Sequence, residues 1–215
     1  MIRNMEVHTF GNIDSKNVFI QLVDSHDYSL INNEINCIKG DYCLITYKVN
    51  NWNNDLTPWE MEPIFGKVRF GSGADKSLKD IEENLIPIIK DYQNKNIYIV
   101  GYSLAGLFAL YAGYNSSIFK GVVAASPSVW YKDWLSYINS HKMLANKVYL
   151  SLGDKEEHTK NQIMATVGKA INKQYESLKE NGITSILEMN IGNHFVDSEY
   201  RIAKGINYML MEERK

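Results

Sequence analysis

The chain has 215 residues, of which 45% are hydrophobic and 22% charged, and its net charge is −2 at neutral pH. This length suits one α/β domain over residues 1–215 with a substantial core. The near-neutral charge provides no basic field for a nucleic-acid backbone, and no segment reaches the ~20 apolar residues of a membrane span. We therefore expect a globular protein that binds neither nucleic acid nor membrane.

The cysteines and the first residues of the chain bear on the cellular compartment of the protein. Cys37 and Cys43 are the two cysteines, and their spacing fits no zinc motif. Cys43 lies in a predicted strand, so we expect free thiols. The first ten residues contain no apolar run of signal-peptide length. These features predict a cytoplasmic protein, and nothing in the sequence indicates its oligomeric state.

Strands and helices alternate in the predicted fold. The predicted strands cover residues 18–24, 42–49, 96–100, 120–125, 147–152 and 185–190. The predicted helices cover residues 75–92, with a kink near residue 86 because of Pro87, and then 104–114, 129–139, 159–181 and 199–211. The irregular segment 50–73 separates the second strand from the first helix, and loops of that length are typically functional or flexible.

Several predicted strands are almost continuous apolar runs, which is typical of strands that are covered on both faces. This pattern predicts a mostly parallel central sheet with helices on both faces. Ligands of such sheets bind at the carboxyl ends of the strands. One functional edge should therefore gather the loops that follow Val23, Val49, Val100, Ala125, Leu152 and Met189.

A serine lies at one of these strand-to-helix corners, in the sequence GYSLA at 101–105. Small residues on either side of a serine permit the sharp turn of a nucleophile elbow. In that geometry Ser103 is a nucleophile, and the N–H of Leu104 points towards an oxyanion. The alternative is that Ser103 only caps the following helix.

A serine nucleophile needs a base and an orienting carboxylate, which in this architecture follow in the order serine, acid, histidine. Of five histidines, His194 is the one that lies after the last strand and after the candidate acids. The acid should follow strand 147–152, where Asp154, Glu156 and Glu157 compete. Spacing alone does not choose among these three.

Four blocks of sequence together resemble the putative-esterase family of α/β-hydrolases, which includes esterase D-like enzymes, siderophore esterases, feruloyl esterases and mycolyltransferases. The blocks are GADKSLKDIEENLIP at 73–87, the elbow and its helix at 101–112, ASPSVWY at 125–131 and GNHF at 192–195. The resemblance implies an α/β-hydrolase fold, and the short chain leaves room only for a minimal lid. It also implies that Ser103 is the nucleophile and His194 the base.

The resemblance also helps with the acid and the substrate site. Siderophore esterases commonly have Gly-x-x-Glu after this strand, which implies Glu156 as the acid, with Asp154 second and Glu157 third. Asp24-Ser25 stands where relatives have an Asp-Gly turn, and the amide of Ser25 is the second expected oxyanion donor. The expected walls of an acyl or aryl pocket, each of which can instead be a packing residue, are Trp52, Trp59, Trp130, Tyr131 and Trp134.

These observations predict a serine hydrolase that cleaves a small-molecule carboxylic ester or thioester through an acyl-enzyme. The chemistry requires neither a metal nor a cofactor. Two alternatives remain: a non-catalytic α/β-hydrolase scaffold that binds a ligand or partner, and an acyltransferase that uses the same residues. The sequence does not indicate which ester is the substrate.

Overall fold

A seven-stranded sheet forms the centre of the computed structural model, which describes residues 6–64 and 66–211. The strands are β1 (Val7–Gly11), β2 (Asn17–Val23), β3 (Cys43–Lys48), β4 (Asn96–Tyr102), β5 (Phe119–Ala125), β6 (Lys147–Gly153) and β7 (Thr184–Asn190). Their spatial order is β1-β3-β2-β4-β5-β6-β7. Strand β1 pairs antiparallel with β3, and the remaining neighbours pair in parallel.

Helices cover both faces of the sheet. They are α1 (Ser25–Ser29), α2 (Ile31–Cys37), α3 (Trp52–Asp55), α4 (Ala74–Asp80), α5 (Leu104–Asn115), α6 (Trp134–Ser140), α7 (Val167–Glu180) and α8 (Ser198–Leu210). Successive strand residues point to opposite faces, so Ile20 packs in the cluster with α4 to α7, whereas Phe19 packs in the cluster with α2 and α8.

The predicted architecture is confirmed, since the sheet is mostly parallel and its central strands β2, β4, β5 and β6 are almost wholly buried. Both faces of β4 and β6 are buried, which agrees with their apolar sequences. The loops after these parallel strands lie at one edge, as expected. Cys37 and Cys43 are free thiols, and Cys43 begins β3. No helix in the described ranges has both the length and the apolar character needed to cross a bilayer.

Three predicted helix boundaries were wrong. The helix predicted over 75–92 ends its regular part with α4 and stops at Ile88. Between them lie one π turn and one 3-10 turn, because Pro87 has no N–H to donate to the preceding turn. The helix predicted from 129 begins only at Trp134, after Asp133 in a left-handed conformation. The helix predicted from 159 begins at Val167, because the Asn161 side chain accepts the N–H groups of Ile163 and Met164 in a separate turn.

The first forty residues contain elements that the prediction missed. Strand β1 is a half-exposed edge strand, so its five residues lack a clear apolar alternation. Helices α1 and α2 are short and polar, and α2 buries only Ile31 and Glu34. Segments of this kind depend on tertiary packing rather than on their own periodicity. Helix α1 matters for the site because it directly follows β2.

Candidate active site

Ser103 occupies the corner between β4 and α5 in a strained conformation. Its φ of 58° and ψ of −121° lie in a region that residues with side chains rarely adopt. The side chain makes no capping hydrogen bond to α5. Instead, the Ser103 Oγ lies 3.0 Å from Nε2 of His194. The local geometry therefore fits an elbow serine and not a helix cap.

Small residues make this corner possible. The Gly101 backbone approaches the Ala105 carbonyl so closely that any side chain at position 101 would collide with it. A side chain on Gly106 would lie about 3.1 Å from Pro127, in the loop after β5. The elbow therefore needs glycine at 101 for the turn itself and a small residue at 106 for packing against the next loop.

Loops that follow three different strands bring a serine, a histidine and a carboxylate together. Ser103 follows β4, Glu156 follows β6 and His194 follows β7. The Nδ1 atom of His194 lies 2.7 Å from Oε2 of Glu156, and its Nε2 atom lies 3.0 Å from Oγ of Ser103. The three side chains form one continuous hydrogen-bonded chain, which is the arrangement that activates a serine.

The other two candidate acids lie elsewhere. The Asp154 carboxylate is exposed and accepts the Gly192 N–H at 2.8 Å, so it holds the loop before His194 without touching the imidazole. Glu157 is exposed, and its carboxylate lies against Gly168 at the start of α7. The structure thus brings Glu156, and neither of its rivals, to the histidine.

Glu156 is buried, with a side-chain exposure of 3%, and its carboxylate is fully hydrogen-bonded. Besides the bond from Oε2 to His194, the Oε1 atom accepts the Gly153 N–H, the Ser126 O–H and the Arg201 Nη1, each at 2.7 Å. Burial by itself raises the pKa of Glu156, but the hydrogen bond and charge of His194 and the bonds from Ser126 and Gly153 bring it below its ordinary value. The carboxylate is therefore ionised at neutral pH.

Two contacts to this carboxylate were not assigned from the sequence. Ser126 belongs to the ASPSVWY block, and its φ of 45° turns its hydroxyl towards Glu156. Arg201 lies on α8 and is only 1% exposed. An arginine next to Ile202 and Ala203 on the apolar face of a predicted helix is the signal that could have identified it, because arginine is almost never fully buried unless it is paired.

Tyr102 contacts His194 through both its hydroxyl and its ring. Its hydroxyl donates to the His194 carbonyl oxygen at 2.7 Å, and the two rings lie 5.2 Å apart. Burial raises the pKa of Tyr102 to about 12. The phenol consequently remains protonated and able to donate across the pH range in which serine hydrolases work.

Two backbone amides on the serine side are available as donors. Leu104 is the first residue of α5, and Ser25 is the first residue of α1. Among the described residues, neither N–H donates to an acceptor. The Asp24 side chain caps α1 through the N–H groups of His26 and Asp27, which leaves the Ser25 amide outside the cap. Both sequence-predicted oxyanion donors are thus unengaged.

A small cavity of about 160 Å³ adjoins the serine. Its lining residues are Asp24, His26, Asp27, Trp52, Tyr102, Ser103, His194, Phe195 and Ser198. Trp52, one of the aromatic residues expected at the substrate site, lies in this lining. The carboxyl of Asp27 faces the same space, and burial together with the Asp24 charge raises its pKa to about 6.

Of the aromatic walls expected from the sequence, Trp59, Trp130 and Tyr131 do not line this cavity. Trp59 donates its indole N–H to the Lys132 carbonyl, and the Tyr131 hydroxyl donates to the Trp59 carbonyl. Trp130 packs on Phe70. Trp134, the fifth candidate, is fully buried on α6. In this structure these aromatic residues pack the irregular segment against the loop after β5 and against α6, outside the lining of the cavity at Ser103.

Phe195 is the wall that sequence reasoning passed over. It directly follows His194, and its ring meets the imidazole edge to face at a centroid distance of 5.5 Å. The ring is 89% exposed. A larger cavity of about 870 Å³ lies beside residues 51–71, but neither Ser103 nor His194 lines it.

The strand order, the parallel sheet and the elbow serine define this fold as that of an α/β serine hydrolase. A family described as "Putative esterase" matches residues 43–191, well over half of the chain. The chain therefore belongs to the putative-esterase family and is a carboxylic ester hydrolase.

Individual relatives are more distant. The chain is 27% identical to the uncharacterized protein YbbA of Bacillus subtilis (strain 168) over 173 residues, which cover 73% of this chain and 69% of YbbA. The fold is similar to an IroE-like serine hydrolase from Shewanella oneidensis, with a TM-score of 0.77, 16% identity and coverage of 95% of this chain and 75% of that one. It is also similar to the siderophore hydrolase EstB from Aspergillus nidulans, with a TM-score of 0.67, 17% identity and coverage of 95% and 88%.

Proposed function

We propose that this protein hydrolyses a small-molecule carboxylic ester or thioester through an acyl-enzyme, with Ser103 as nucleophile, His194 as general base and Glu156 as the orienting acid. The observation that carries the proposal is the unbroken chain from Ser103 Oγ through the imidazole to Glu156 Oε2, with distances of 3.0 and 2.7 Å. Free thiols at Cys37 and Cys43 support a reducing compartment, the cytoplasm.

Acylation begins when the Ser103 oxygen attacks the carbonyl carbon and its proton passes to Nε2 of His194. The carbonyl oxygen becomes an oxyanion, which the amides of Leu104 and Ser25 stabilise by hydrogen bonds. The Glu156 carboxylate stabilises the imidazolium through Nδ1. His194 then returns the proton to the leaving alcohol or thiol, and the acyl group remains on Ser103.

Deacylation repeats these steps with water as the nucleophile. His194 takes a proton from the water, the resulting hydroxide attacks the acyl carbonyl, and Ser103 leaves with the proton returned by the imidazole. The product is a carboxylic acid. Acyl transfer to another acceptor would use the same residues, and it is distinguished by the product that accumulates when alcohols are added.

The small volume of the cavity at Ser103 supports a small group on the acyl side of the ester. Ligand pockets typically hold ~300–1,000 Å³, whereas the cavity at Ser103 holds about 160 Å³. A small acyl group fits there, and any larger part of the ester must lie outside it. Trp52 and Phe195 at its walls favour an apolar or aromatic substituent at that position.

The test is labelling with a fluorophosphonate probe together with hydrolysis of p-nitrophenyl acetate. We expect the wild type to be labelled and active, and Ser103→Ala to lose labelling and at least about 10³-fold of its kcat. Ser136→Ala, which changes an exposed serine on α6, serves as the matched control.

Two results would contradict the proposal. Unchanged hydrolysis by a folded Ser103→Ala variant would show that another residue is the nucleophile. Absence of labelling in the folded wild type would support a non-catalytic scaffold instead. Circular dichroism establishes that each variant is folded before its rate is compared.

A further inference from the structure

Arg201 is the most deeply buried cation in the neighbourhood of the proposed triad. It lies on the first turns of α8 and is 1% exposed, although its helix neighbours Tyr200 and Lys204 reach the surface. Burying a guanidinium is costly unless it is paired and hydrogen-bonded. The contacts that Arg201 makes therefore explain why a charge occupies this position.

One terminal nitrogen of the guanidinium binds the acid side of the triad. Nη1 lies 2.7 Å from Glu156 Oε1, 2.9 Å from the Ser126 hydroxyl and 3.2 Å from the Tyr102 hydroxyl. Ser126 also donates to the same carboxylate oxygen, at 2.7 Å. The Glu156 oxygen that faces away from His194 is thus held from two directions.

The other terminal nitrogen binds the backbone of the loop that carries the base. Nη2 lies 2.9 Å from the Asn193 carbonyl and 3.4 Å from the Ile191 carbonyl. Asn193 directly precedes His194. The same guanidinium consequently contacts Glu156 itself and the backbone of the loop that precedes His194, at atoms that do not take part in the bond between the two side chains.

The space for this guanidinium depends on a glycine. A side chain on Gly153 would collide with the Gly192 carbonyl oxygen, and it would also lie 2.9 Å from Nη2 and 3.0 Å from Nη1 of Arg201. Gly153 also donates its N–H to Glu156. The glycine at the end of β6 therefore admits the arginine and supports the carboxylate at the same time.

We propose that Arg201 is a positioning residue for the triad, which sets the Glu156 carboxylate against His194 by binding the acid through one nitrogen and the histidine loop through the other. The proposal rests on the triad put forward above. A planar guanidinium can fix two groups at once because its donors form a rigid fork. A second route reaches the histidine through Tyr102, which accepts from Arg201 and donates to the His194 carbonyl.

The test compares Arg201→Met and Arg201→Lys with the wild type on p-nitrophenyl acetate across pH. In Arg201→Met we expect kcat to fall about 100-fold, the loss typical of a displaced catalytic group, with KM within about 2-fold. The acid limb of the kcat profile should move to higher pH, because this limb reports the coupled Glu156–His194 pair and the loss of a neighbouring cation favours the protonated forms of that pair.

Arg201→Lys tests whether the positive charge of Arg201 or the forked shape of its guanidinium is what matters. A lysine ammonium keeps the positive charge but lacks the fork that spans Glu156 and the Asn193 carbonyl. We expect its acid limb to stay closer to that of the wild type while kcat still falls, by less than in Arg201→Met. This variant also keeps the test decisive if Arg201→Met does not fold.

Gln174→Met is the matched control. Gln174 is fully buried on α7 and hydrogen-bonds the Trp134 indole and the Tyr114 hydroxyl, away from the triad. It should lose stability but keep the wild-type kcat and pH profile. Equal losses of kcat in all three variants would reduce the Arg201 effect to general destabilisation and overturn the proposal.

Wild-type kinetics in the Arg201 variants would also overturn it. This failure is distinguishable from failure of the proposed function. If Ser103 is not the nucleophile, the wild type itself is not labelled there. If only the positioning role is wrong, the wild type is labelled and hydrolyses the ester, and the Arg201 variants match it.

Discussion

At the scale of single residues, the side chains around the proposed triad differ in how their surroundings constrain them. Glu156 accepts three hydrogen bonds on one oxygen and is buried, whereas the adjoining Phe195 is 89% exposed and unsupported on its outer side. An exposed ring beside the imidazole that we propose as the base leaves apolar surface in contact with water. Because the ring lies beside Ser103 and His194 in the lining of the cavity, we expect a bound substrate to contact it.

We therefore expect Phe195→Ala to affect substrate preference more than stability. Covering part of a phenyl ring contributes about 1–1.5 kcal/mol, so kcat/KM for p-nitrophenyl hexanoate should fall about 5- to 10-fold, whereas the value for the acetate should change less than about 2-fold. The thermal midpoint should remain unchanged because the ring is exposed. Ile13→Ala, at an exposed residue between β1 and β2, is the control. A uniform loss on both esters would refute a binding role for the ring.

At the scale of elements, the strands were predictable and the loops less so. Apolar runs such as that of β4 identify buried strands directly, and the order Ser103, Glu156, His194 follows from the loop that each residue occupies. The choice of Glu156 over Asp154 came only from the family resemblance, since both lie within one turn. The contacts of Trp59 and Tyr131 depend on how the irregular segment folds back, which no periodicity encodes.

Arg201 and Ser126 illustrate a second limit. Their roles arise from contacts that join α8 to the loops after β5 and β6. Along the chain, Ser126 lies 30 residues from Glu156 and Arg201 lies 45 residues from it. A single sequence shows that an arginine falls on an apolar helix face, but it does not identify its partner. Electrostatic pairing of this kind becomes visible only when the elements are assembled.

The elbow provides a prediction at the same scale. In Gly101→Ala, the new methyl group collides with the Ala105 carbonyl, so the turn between β4 and α5 must shift. We expect a loss of about 1–3 kcal/mol in the free energy of unfolding and a loss of esterase activity. Urea unfolding and p-nitrophenyl acetate hydrolysis measure the two effects. Ala105→Gly should cost less than about 1 kcal/mol, and an equal cost for both changes would argue against the steric explanation.

At the scale of the whole molecule, one buried carboxyl makes stability depend on pH. Glu34 on α2 is 1% exposed and pairs with the Gln21 amide. Its pKa is raised to about 8, mainly by burial and also by the charges of Asp27 and Glu199, while the hydrogen bond from Gln21 opposes the shift. The folded protein therefore keeps a proton that the unfolded chain has released above its ordinary pKa of 4.5.

Stability should consequently decline as pH rises from about 4.5 to about 8 and then level off with respect to this group. Glu34→Gln stays neutral, so its advantage over the wild type should grow across this window to a few kcal/mol, on the order expected for a shift of this size. Urea unfolding at several pH values measures it. Glu180→Gln, at an exposed residue of α7, is the control, and a constant difference between Glu34→Gln and wild type would disprove the linkage.

The fastening of the irregular segment also has an evolutionary meaning. Trp59 is joined to the loop after β5 by reciprocal hydrogen bonds, and the Ile64 carbonyl accepts from the Asn161 side chain. None of these anchors belongs to the residues that surround Ser103. The stretch between them can lengthen, shorten or be exchanged during descent while the reaction centre stays intact. Changes in this stretch can therefore accumulate without altering a side chain that lines the cavity at Ser103.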